Sequence, residues 1–250
     1  MVKEGYYFGV PPLALGVIFF LLHWVAAATV LVLFGLFCFS FFRDPERAIP
    51  SDPGAIVSPA DGRVVVITDE AHDGVPGKRI SIFLAVWNVH VNRAPASGPI
   101  TKLDYQPGRF LAAMRAEAST QNEQNIFTLA TEHGDVVFKQ IAGFVARRVV
   151  AWKKIGDVVA RGERVGLVRF GSRADVWLPA AASVAVKLGD HVAGGSSILA
   201  FLPVKSVGPS SGPSSEQDTS VHDGNSRDGS SQAAAKSPDA NLISAGRPKP

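Results

Sequence analysis

The stretch RFGSRADVWLP, residues 169 to 179, places the pair Gly171-Ser172 between two strand-like runs. In such a pair the serine hydroxyl can attack the preceding carbonyl carbon. Glycine suits this step because it has no Cβ beside the attacked carbon and accepts strained backbone angles. The same dipeptide also occurs in ordinary turns. The pair alone therefore leaves two interpretations, a turn and a site of self-cleavage, and the rest of the chain must decide between them.

The overall composition indicates one globular core. The chain has 250 residues, of which 46% are hydrophobic, and its formal net charge is +3 with a pI near 9.1. Its lysines and arginines are scattered and not clustered with aromatic residues, so we expect no nucleic-acid partner. The single cysteine, Cys38, lies in an apolar run, which leaves no disulfide framework and no cysteine-based metal site. A reducing or membrane location fits this pattern.

The first part of the chain predicts a membrane-associating segment, residues 1–42. Residues 5 to 42 contain no Asp, Glu, Lys or Arg, a run longer than the roughly 18 residues that indicate a membrane helix. Pro11 and Pro12 are expected to break its start, and His23-Trp24 to interrupt its middle. Two short helices that dip into one leaflet are favoured over one tilted span, and a cleaved signal peptide is the less fitting alternative.

The charges beside the apolar run bear on its orientation. Lys3 precedes the run, and Arg43 and Arg47 follow it. Basic residues at both ends favour a cytoplasmic location for both ends. The prediction is a protein of the cell membrane, held at its cytoplasmic face.

The next part, residues 43–205, has the texture of a mainly β domain. Short runs rich in β-branched residues alternate with Gly and Pro, which is typical of a barrel-sandwich or similar all-β fold. One helix is predicted over residues 109–125, which contain no Gly or Pro. The runs GDVVARGERVG and LGDHVAGGSSIL resemble each other and predict duplicated β-hairpins. Residues 206–250 are rich in Ser, Gly, Asp and Pro, and predict a disordered tail.

Three further segments carry candidate chemistry. In SPADG, Asp61 forms either a hairpin corner or a catalytic carboxylate. In NVHVNRAP, His90 is either a structural residue of a strand or an acid or base. In STQNEQN, residues 119 to 125, the amides either bind a polar head group or turn the chain.

Taken together, FFRDPER, SPADG, NVHVNRAP, NEQN and FGSRADVWLP follow one another in this order behind an apolar segment. This arrangement resembles the phosphatidylserine decarboxylase proenzymes, in particular their short bacterial and archaeal type. The likeness extends from about Tyr6 to Leu202, and five ordered motifs are far more specific than a lone Gly-Ser pair.

The resemblance implies a reaction and its cofactor. It implies cleavage between Gly171 and Ser172 into a β chain, residues 1–171, and an α chain, residues 172–250, which remain together as a heterodimer. Ser172 would become a pyruvoyl group, a ketone that forms a Schiff base with the substrate amine and takes up electrons as pyridoxal phosphate does. No pyridoxal phosphate and no metal are then expected. The implied partner is a membrane phospholipid, phosphatidylserine, and association of heterodimers into a homo-oligomer is left open.

The resemblance also assigns residues, with one departure. Longer members have a second histidine that relays charge during cleavage, and here Arg93 stands at the matching position. Arginine is always protonated and cannot act as this base. Asp61 matches the family aspartate, His90 is expected to act as the acid in decarboxylation, and His133 is an alternative base for cleavage. Asn122, Asn125 and Arg109 are candidate substrate-binding residues, with Arg43 and Arg47 as further phosphate contacts.

Two other functions compete with this interpretation. A metallopeptidase would need clustered ligands, whereas the six histidines of this chain are dispersed and form no His-x-His. A biotinyl or lipoyl carrier would need a modifiable lysine at a hairpin tip. Near the relevant turn the chain has Arg173 and Asp175 instead.

Overall fold

Residues 1–115, 117–144, 148–169 and 171–203 are described by a computed structural model, and within these ranges the chain forms three helices and fourteen strands. The mainly β class is confirmed, with a curled sheet behind an apolar helical hairpin. The predicted disordered tail, residues 206–250, lies outside the described residues.

The bounds of the elements are as follows. The helices are α1 Lys3–Leu21, α2 Val25–Phe41 and α3 Ala118–Gln121. The strands are β1 Ala55–Val57, β2 Gly62–Asp69, β3 Gly77–Leu84, β4 Val91–Arg93, β5 Gly98–Gln106, β6 Gln124–Thr131, β7 Gly134–Ile141, β8 Val149–Ala151, β9 Val158–Val159, β10 Arg164–Val168, β11 Ser172–Pro179, β12 Ser183–Val184, β13 His191–Val192 and β14 Ile198–Phe201.

The apolar run folds as a hairpin of α1 and α2. The predicted break at His23-Trp24 is confirmed, because the chain turns there and His23 has a φ of 60°. The predicted break at Pro11 and Pro12 is wrong, since α1 continues through both. The lost N–H donors are tolerated because α1 packs closely along α2: a Cβ placed on Gly35 would lie 2.6 Å from the Leu13 side chain.

Three sheets form the body. The largest has eight strands in the order β13-β2-β3-β11-β7-β6-β5-β9, and two three-stranded sheets have the orders β1-β14-β12 and β4-β10-β8. The strand β11 lies inside the large sheet, antiparallel to β3 on one side and to β7 on the other. The main core packs against this strand through Val176 and Leu178. The strand that begins at Ser172 is therefore held on both edges and on its core face.

The two similar runs form a structural duplication, but the prediction of a hairpin in each is wrong, because β9 pairs with β5 and β13 pairs with β2 instead of with the strand that follows. The short strands β9 and β13 each follow a left-handed glycine, Gly156 with a φ of 90° and Gly189 with a φ of 92°. The next residue accepts the same hydrogen bond in both: Asp157 from the backbone N–H of Lys154 at 3.0 Å, and Asp190 from that of Lys187 at 2.8 Å.

The duplication also includes the SPADG turn, which the sequence analysis did not predict. SPADG at residues 58–62 corresponds to APASG at residues 94–98. Asp61 accepts a hydrogen bond from the Gly194 N–H at 2.7 Å, and its counterpart Ser97 accepts one from the Arg161 N–H at 2.9 Å. The two halves therefore fold around equivalent turns, one closed by a carboxylate and the other by a hydroxyl.

The helix predicted over residues 109–125 is wrong for most of its length. Only Ala118–Gln121 is helical among the described residues, and β6 begins at Gln124. The Arg109 N–H donates to the Gln121 carbonyl at 2.6 Å, so the two ends of the segment meet. Tertiary hydrogen bonds override the local helix propensity here, because the Asn122 side chain bonds both backbone groups of Leu111.

Candidate functional site

Ser172 is the first residue of β11 and is fully buried. It pairs with Leu84 of β3. Side chains alternate along a strand, so Ser172 lies on the same face as Ala174, which packs with Leu84 and Ala60. Among the described residues its Oγ has no hydrogen-bond partner. A buried hydroxyl without a partner costs about 1–3 kcal/mol, and such a cost is typical of a reactive group.

Gly171 precedes this serine in a left-handed conformation, with a φ of 59°. A Cβ on Gly171 would meet no atom within 4 Å, so the backbone angle and not crowding favours glycine there. The left-handed angle supports the sequence argument from strained backbone angles, and the argument that a Cβ would obstruct the attack by the adjacent Ser172 stays a prediction.

The carbonyl of Gly171 packs directly against Gly143, the second residue after β7. A Cβ placed on Gly143 would lie only 1.6 Å from the Gly171 carbonyl oxygen. Any side chain at position 143 would therefore displace the carbonyl that the Ser172 hydroxyl must attack. Sequence reasoning missed Gly143, because only the folded chain brings residues 28 positions apart into contact.

His90 is fully buried at the start of β4. Its Nδ1 lies 2.8 Å from the Asn88 carbonyl oxygen, so Nδ1 carries the proton and donates it in this hydrogen bond. Its Nε2 is buried and has no partner within the described ranges. Burial lowers the pKa of His90 to about 4, helped by the charge of Arg43 and opposed by the bond to Asn88. The imidazole is therefore neutral near pH 7, with Nε2 free to accept a proton.

His90 and Ser172 lie on two neighbouring connections. The chain passes from β3 to β4 through residues 85–90, and from β10 to β11 through residues 169–171. Because β3 pairs with β11 and β4 pairs with β10, the two connections run side by side. The Val168 N–H donates to the His90 carbonyl at 3.1 Å. Among the described residues, His90 Nε2 and Ser172 Oγ have no hydrogen-bond partner, and they are not bonded to each other.

Asp61 lies in the SPADG turn, which contacts the same region through Ala60. Its carboxylate accepts two hydrogen bonds from the Arg47 guanidinium, at 2.8 and 2.9 Å, and one from the Gly194 N–H. The carboxylate is not bonded to His90, whose Nδ1 is held by a backbone carbonyl instead. Asp61 therefore lies in a turn and forms an ion pair, but the turn is not a hairpin corner, because β1 pairs with β14 and β2 pairs with β3.

The amides of the NEQN segment are engaged within the protein. Asn122 donates to the carbonyls of Leu111 and Ala142 at 2.8 and 2.7 Å. Asn125 donates to Gln140 at 2.9 Å, which in turn donates to Asn92 at 2.9 Å. To bind substrate, Asn122 and Asn125 would have to exchange these bonds. Their assignment to substrate stays a prediction.

The three arginines considered as phosphate contacts differ in their surroundings. Arg109 is exposed. Arg43 donates to the carbonyls of Ser40 and Trp87 at 2.8 and 2.7 Å, and Arg47 is paired with Asp61. The role of Arg109 in substrate binding likewise stays a prediction.

Arg93 and His133 both lie apart from the reacting groups. Arg93 is buried and pairs with Asp44 at 2.8 Å, so it anchors the segment that follows α2. His133 lies in the turn before β7, whereas Arg173 pairs with Ile141 at the other end of β7. Seven residues at ~3.3 Å each separate the two ends by about 23 Å. His133 is therefore too far from Ser172 to act as its base.

A buried charge network lies on the opposite face of β11, and the sequence analysis did not predict it. Arg173 donates to Asp175 at 2.6 Å and to Ser81 at 2.8 Å, and Asp175 also accepts from Ser119 at 2.8 Å. These bonds hold the strand immediately after Ser172. The available signal was the alternation of charged and apolar residues in SRADVW.

The base of the helical hairpin covers His90. The ring of Phe41 lies 4.1 Å from the imidazole, measured between centroids, and Phe41 and Phe42 belong to one apolar cluster with Val89 and Leu167. Exposed apolar side chains from three loops lie at this end of the body: Trp87, Met114 and Phe144. The site is thus placed where the apolar hairpin joins the β body.

Comparisons with known proteins indicate one family. The family model described as phosphatidylserine decarboxylase matches residues 34–200. A phosphatidylserine decarboxylase proenzyme of Solibacter usitatus is 50% identical over 203 residues, which cover 80% of this chain and 96% of the relative. The proenzyme of Symbiobacterium thermophilum is 44% identical over 207 residues, covering 81% and 96%. That of Geotalea uraniireducens is 43% identical over 206 residues, covering 81% and 97%.

Proposed function

The chain belongs to the phosphatidylserine decarboxylase family, a family of carboxy-lyases, and we propose that it cuts itself at Gly171-Ser172 and converts phosphatidylserine to phosphatidylethanolamine and CO2. The observation that carries this proposal is the buried Oγ of Ser172, which has no hydrogen-bond partner among the described residues and directly follows a left-handed glycine. The expected product is a heterodimer of residues 1–171 and 172–250.

Self-cleavage begins when the Ser172 Oγ attacks the Gly171 carbonyl carbon. The bond between the Gly171 carbonyl carbon and Oγ forms and the peptide C–N bond breaks, so an ester joins the two residues. The Oγ proton passes to the nitrogen of residue 172, which becomes a free amine. Loss of the α-proton of residue 172 then expels the Gly171 carboxylate and leaves dehydroalanine. Water replaces its nitrogen, which departs as ammonia, and a pyruvoyl group remains.

His90 is the candidate base for the first step. Its neutral imidazole has a free Nε2 on the connection beside Ser172. This role comes in addition to the predicted one as the acid in decarboxylation, and it is supported by the low pKa, which keeps the ring unprotonated near pH 7. Once Nε2 has accepted a proton it becomes an acid that can return the proton later.

The residues present fit a pyruvoyl group at position 172, because this position is buried on the core face and its neighbours leave the Oγ unpartnered. When present, that group supplies a ketone that condenses with the substrate amine and takes up the electrons released with CO2. His90, in its protonated form, would hold the proton that replaces the carboxylate. Phe41 covers the imidazole ring and limits access of water to it.

A location at the membrane explains why the site lies at the base of the hairpin. α1 is long and apolar enough to cross a membrane, and its exposed residues include Leu15, Phe20 and Leu21. A phospholipid keeps its acyl chains in the bilayer, so the reacting head group must meet the enzyme at the interface. Trp87 is 77% exposed at this level, where tryptophan is commonly found.

Intact mass spectrometry of the denatured protein tests the proposal. We expect two fragments that meet between residues 171 and 172, the second of them lighter than its serine form by the change to pyruvoyl. Ser172→Ala should stay a single chain and have no decarboxylase activity. A wild-type chain that is active and uncut would overturn the mechanism.

The role of His90 is tested in the same way. Because we assign it to the cleavage step, His90→Ala should accumulate as an uncut chain. A His90→Ala protein that is cut but turns over poorly would restrict His90 to the decarboxylation step.

A further inference from the structure

Arg169 lies two residues before Gly171, on the connection between β10 and β11. Its backbone N–H donates to the Arg148 carbonyl at 3.4 Å. Its guanidinium carbon lies 5.3 Å from the ring centroid of Phe8, which belongs to α1. The cation is therefore placed between the scissile bond and the apolar hairpin.

The guanidinium of Arg169 lacks the anion that such a group normally has. Its Nε is buried and without a hydrogen-bond partner among the described residues. Within the same residues, no ion pair is formed by Arg169, whereas the partly buried Arg47 and Arg164 are paired with carboxylates. The Nε atoms of Arg47 and Arg164 are also without a hydrogen bond, but both of those guanidinium groups have a carboxylate. A half-buried guanidinium that has a buried donor without a partner is suited to an anion that arrives with a ligand.

A continuous set of aromatic rings connects Arg169 with His90. Phe8 stacks on Phe42, with centroids 5.6 Å apart, Phe42 contacts Phe41 at 4.9 Å, and Phe41 contacts His90. Both functional groups therefore lie at one level, where the hairpin leaves the β body. A lipid lying along the hairpin would have its head group at this level.

We propose that Arg169 binds the phosphodiester of the phospholipid substrate. This inference rests on the proposed function. Guanidinium groups bind phosphate oxygens through two parallel hydrogen bonds, and the phosphodiester is the part of the substrate between the acyl chains and the reacting amine. The substrate carboxylate is a poorer match, because an ion pair to it would stabilise the ground state against loss of CO2.

The test compares two substrates and three variants. One substrate is a short-chain phosphatidylserine, and the other is an O-acylserine of matched hydrophobicity, which has the same amine and carboxylate but no phosphate. We expect Arg169→Gln to raise KM for phosphatidylserine by about tenfold or more, as loss of a charge-assisted hydrogen bond predicts. KM for the O-acylserine should not change, and Arg169→Lys should be intermediate for phosphatidylserine.

Lys102→Gln is the matched control, because Lys102 is an exposed cation on β5, and it should leave both KM values unchanged. If the wild type does not turn over the O-acylserine, its inhibition constant replaces KM. An equal rise for both substrates, or an unchanged KM for phosphatidylserine, would overturn the proposal.

Processing is measured first, since Arg169 is close to the scissile bond. If Arg169→Gln is uncut, the comparison moves to Ser172→Ala with and without Arg169→Gln, by calorimetry with dihexanoyl phosphatidylethanolamine. A Kd about tenfold weaker in the double variant supports phosphate binding, as the loss of a charge-assisted hydrogen bond predicts, and an equal Kd refutes it. An uncut or inactive wild type would refute the proposed function itself, whereas an active wild type with an unaffected Arg169→Gln refutes this inference alone.

Discussion

At the level of single residues, Gly143 packs directly against the carbonyl group of the bond that is expected to break. Because a Cβ there would overlap the Gly171 carbonyl oxygen, Gly143→Ala must shift the carbonyl that Ser172 attacks. A misplacement of about 1 Å can cost about 100-fold in rate, so we expect cleavage to slow by about that factor. Gel analysis of the uncut fraction over time after synthesis measures it.

Gly74→Ala is the control for Gly143→Ala. Gly74 has a φ of 80°, and a Cβ there would meet no atom within 4 Å. This variant should lose some stability through its backbone angle but should be cut like the wild type. Normal cleavage of Gly143→Ala would show that the carbonyl can occupy another position.

The lowered pKa of His90 predicts that the free energy of unfolding depends on pH. Its pKa is about 4 in the folded chain, below the ordinary value of 6.5, so the unfolded chain binds more protons between these pH values. The stability due to neutral His90 is thus complete above about pH 6.5 and is lost as pH falls to about 4, by on the order of 3 kcal/mol. Thermal unfolding of uncut Ser172→Ala should show this loss.

The matching variant is Ser172→Ala with His90→Asn, whose amide can still donate to the Asn88 carbonyl. Between pH 6.5 and 4 its unfolding temperature should fall less than that of Ser172→Ala alone. Equal slopes would mean that His90 does not have a lowered pKa in the folded chain.

Asp61 can be examined with a substitution that the fold itself suggests. Ser97 closes the equivalent turn of the other half, so Asp61→Ser should keep the turn and remain folded. Loss of its charge leaves the Arg47 guanidinium without its carboxylate, beside a turn that contacts the strand of Ser172 through Ala60 and Ala174. We therefore expect cleavage to slow, while Asp61→Ala should also lose about 1 kcal/mol of stability. Wild-type cleavage of Asp61→Ser would make Asp61 a turn residue only.

At the level of elements, the helical hairpin is expected to hold the protein on the membrane. Leu21 and Leu22 are exposed at its tip, at 69% and 59%. A charge within the hydrocarbon layer costs roughly 2.5–3.5 kcal/mol, so Leu21→Glu with Leu22→Glu should lower recovery in the membrane fraction by at least about tenfold. Val75→Glu, at an exposed turn of the body, is the control and should have no effect.

The position of the hairpin tip distinguishes a hairpin that dips into the membrane from one that crosses it. α1 is about 28 Å long at ~1.5 Å per residue, close to the ~30 Å of the hydrocarbon layer. A hairpin that dips into one leaflet would protect Trp24→Cys from a membrane-impermeant thiol reagent on either side, in a Cys38→Ala background. Labelling from the side opposite the β body would show that the tip crosses.

At the level of the whole molecule, the catalytic unit is expected to end near Lys205. The last described strand, β14, pairs with β1 and β12 and returns the chain to the start of the β body. Deleting residues 206–250 should therefore leave self-cleavage and decarboxylase activity unchanged, which an activity assay on vesicles would measure. A large loss of activity would give the tail a function.

Much of this organisation could be predicted from the sequence, because it depends on neighbours along the chain. The charge-free run, the break at His23-Trp24 and the repeated Gly-Asp turns depend on local composition and backbone preference. The prediction failed for residues 109–125, because the bonds that bend this segment come from Asn122 and Ala142. It failed at Pro11 and Pro12 because packing against α2 is not a local property.

The family, the mainly β class, the apolar hairpin and the bond expected to break could all be inferred from the sequence, since five ordered motifs and a long apolar run are visible without coordinates. Four features required the folded chain: the lowered pKa of His90, the contact of Gly143 with the Gly171 carbonyl, the distance of His133 from Ser172 and the contact of Arg169 with Phe8. These features depend on burial and on pairs of residues that are distant in sequence. Strand pairing and helix packing bring such residues together, and their desolvation sets the proton affinities on which the chemistry depends.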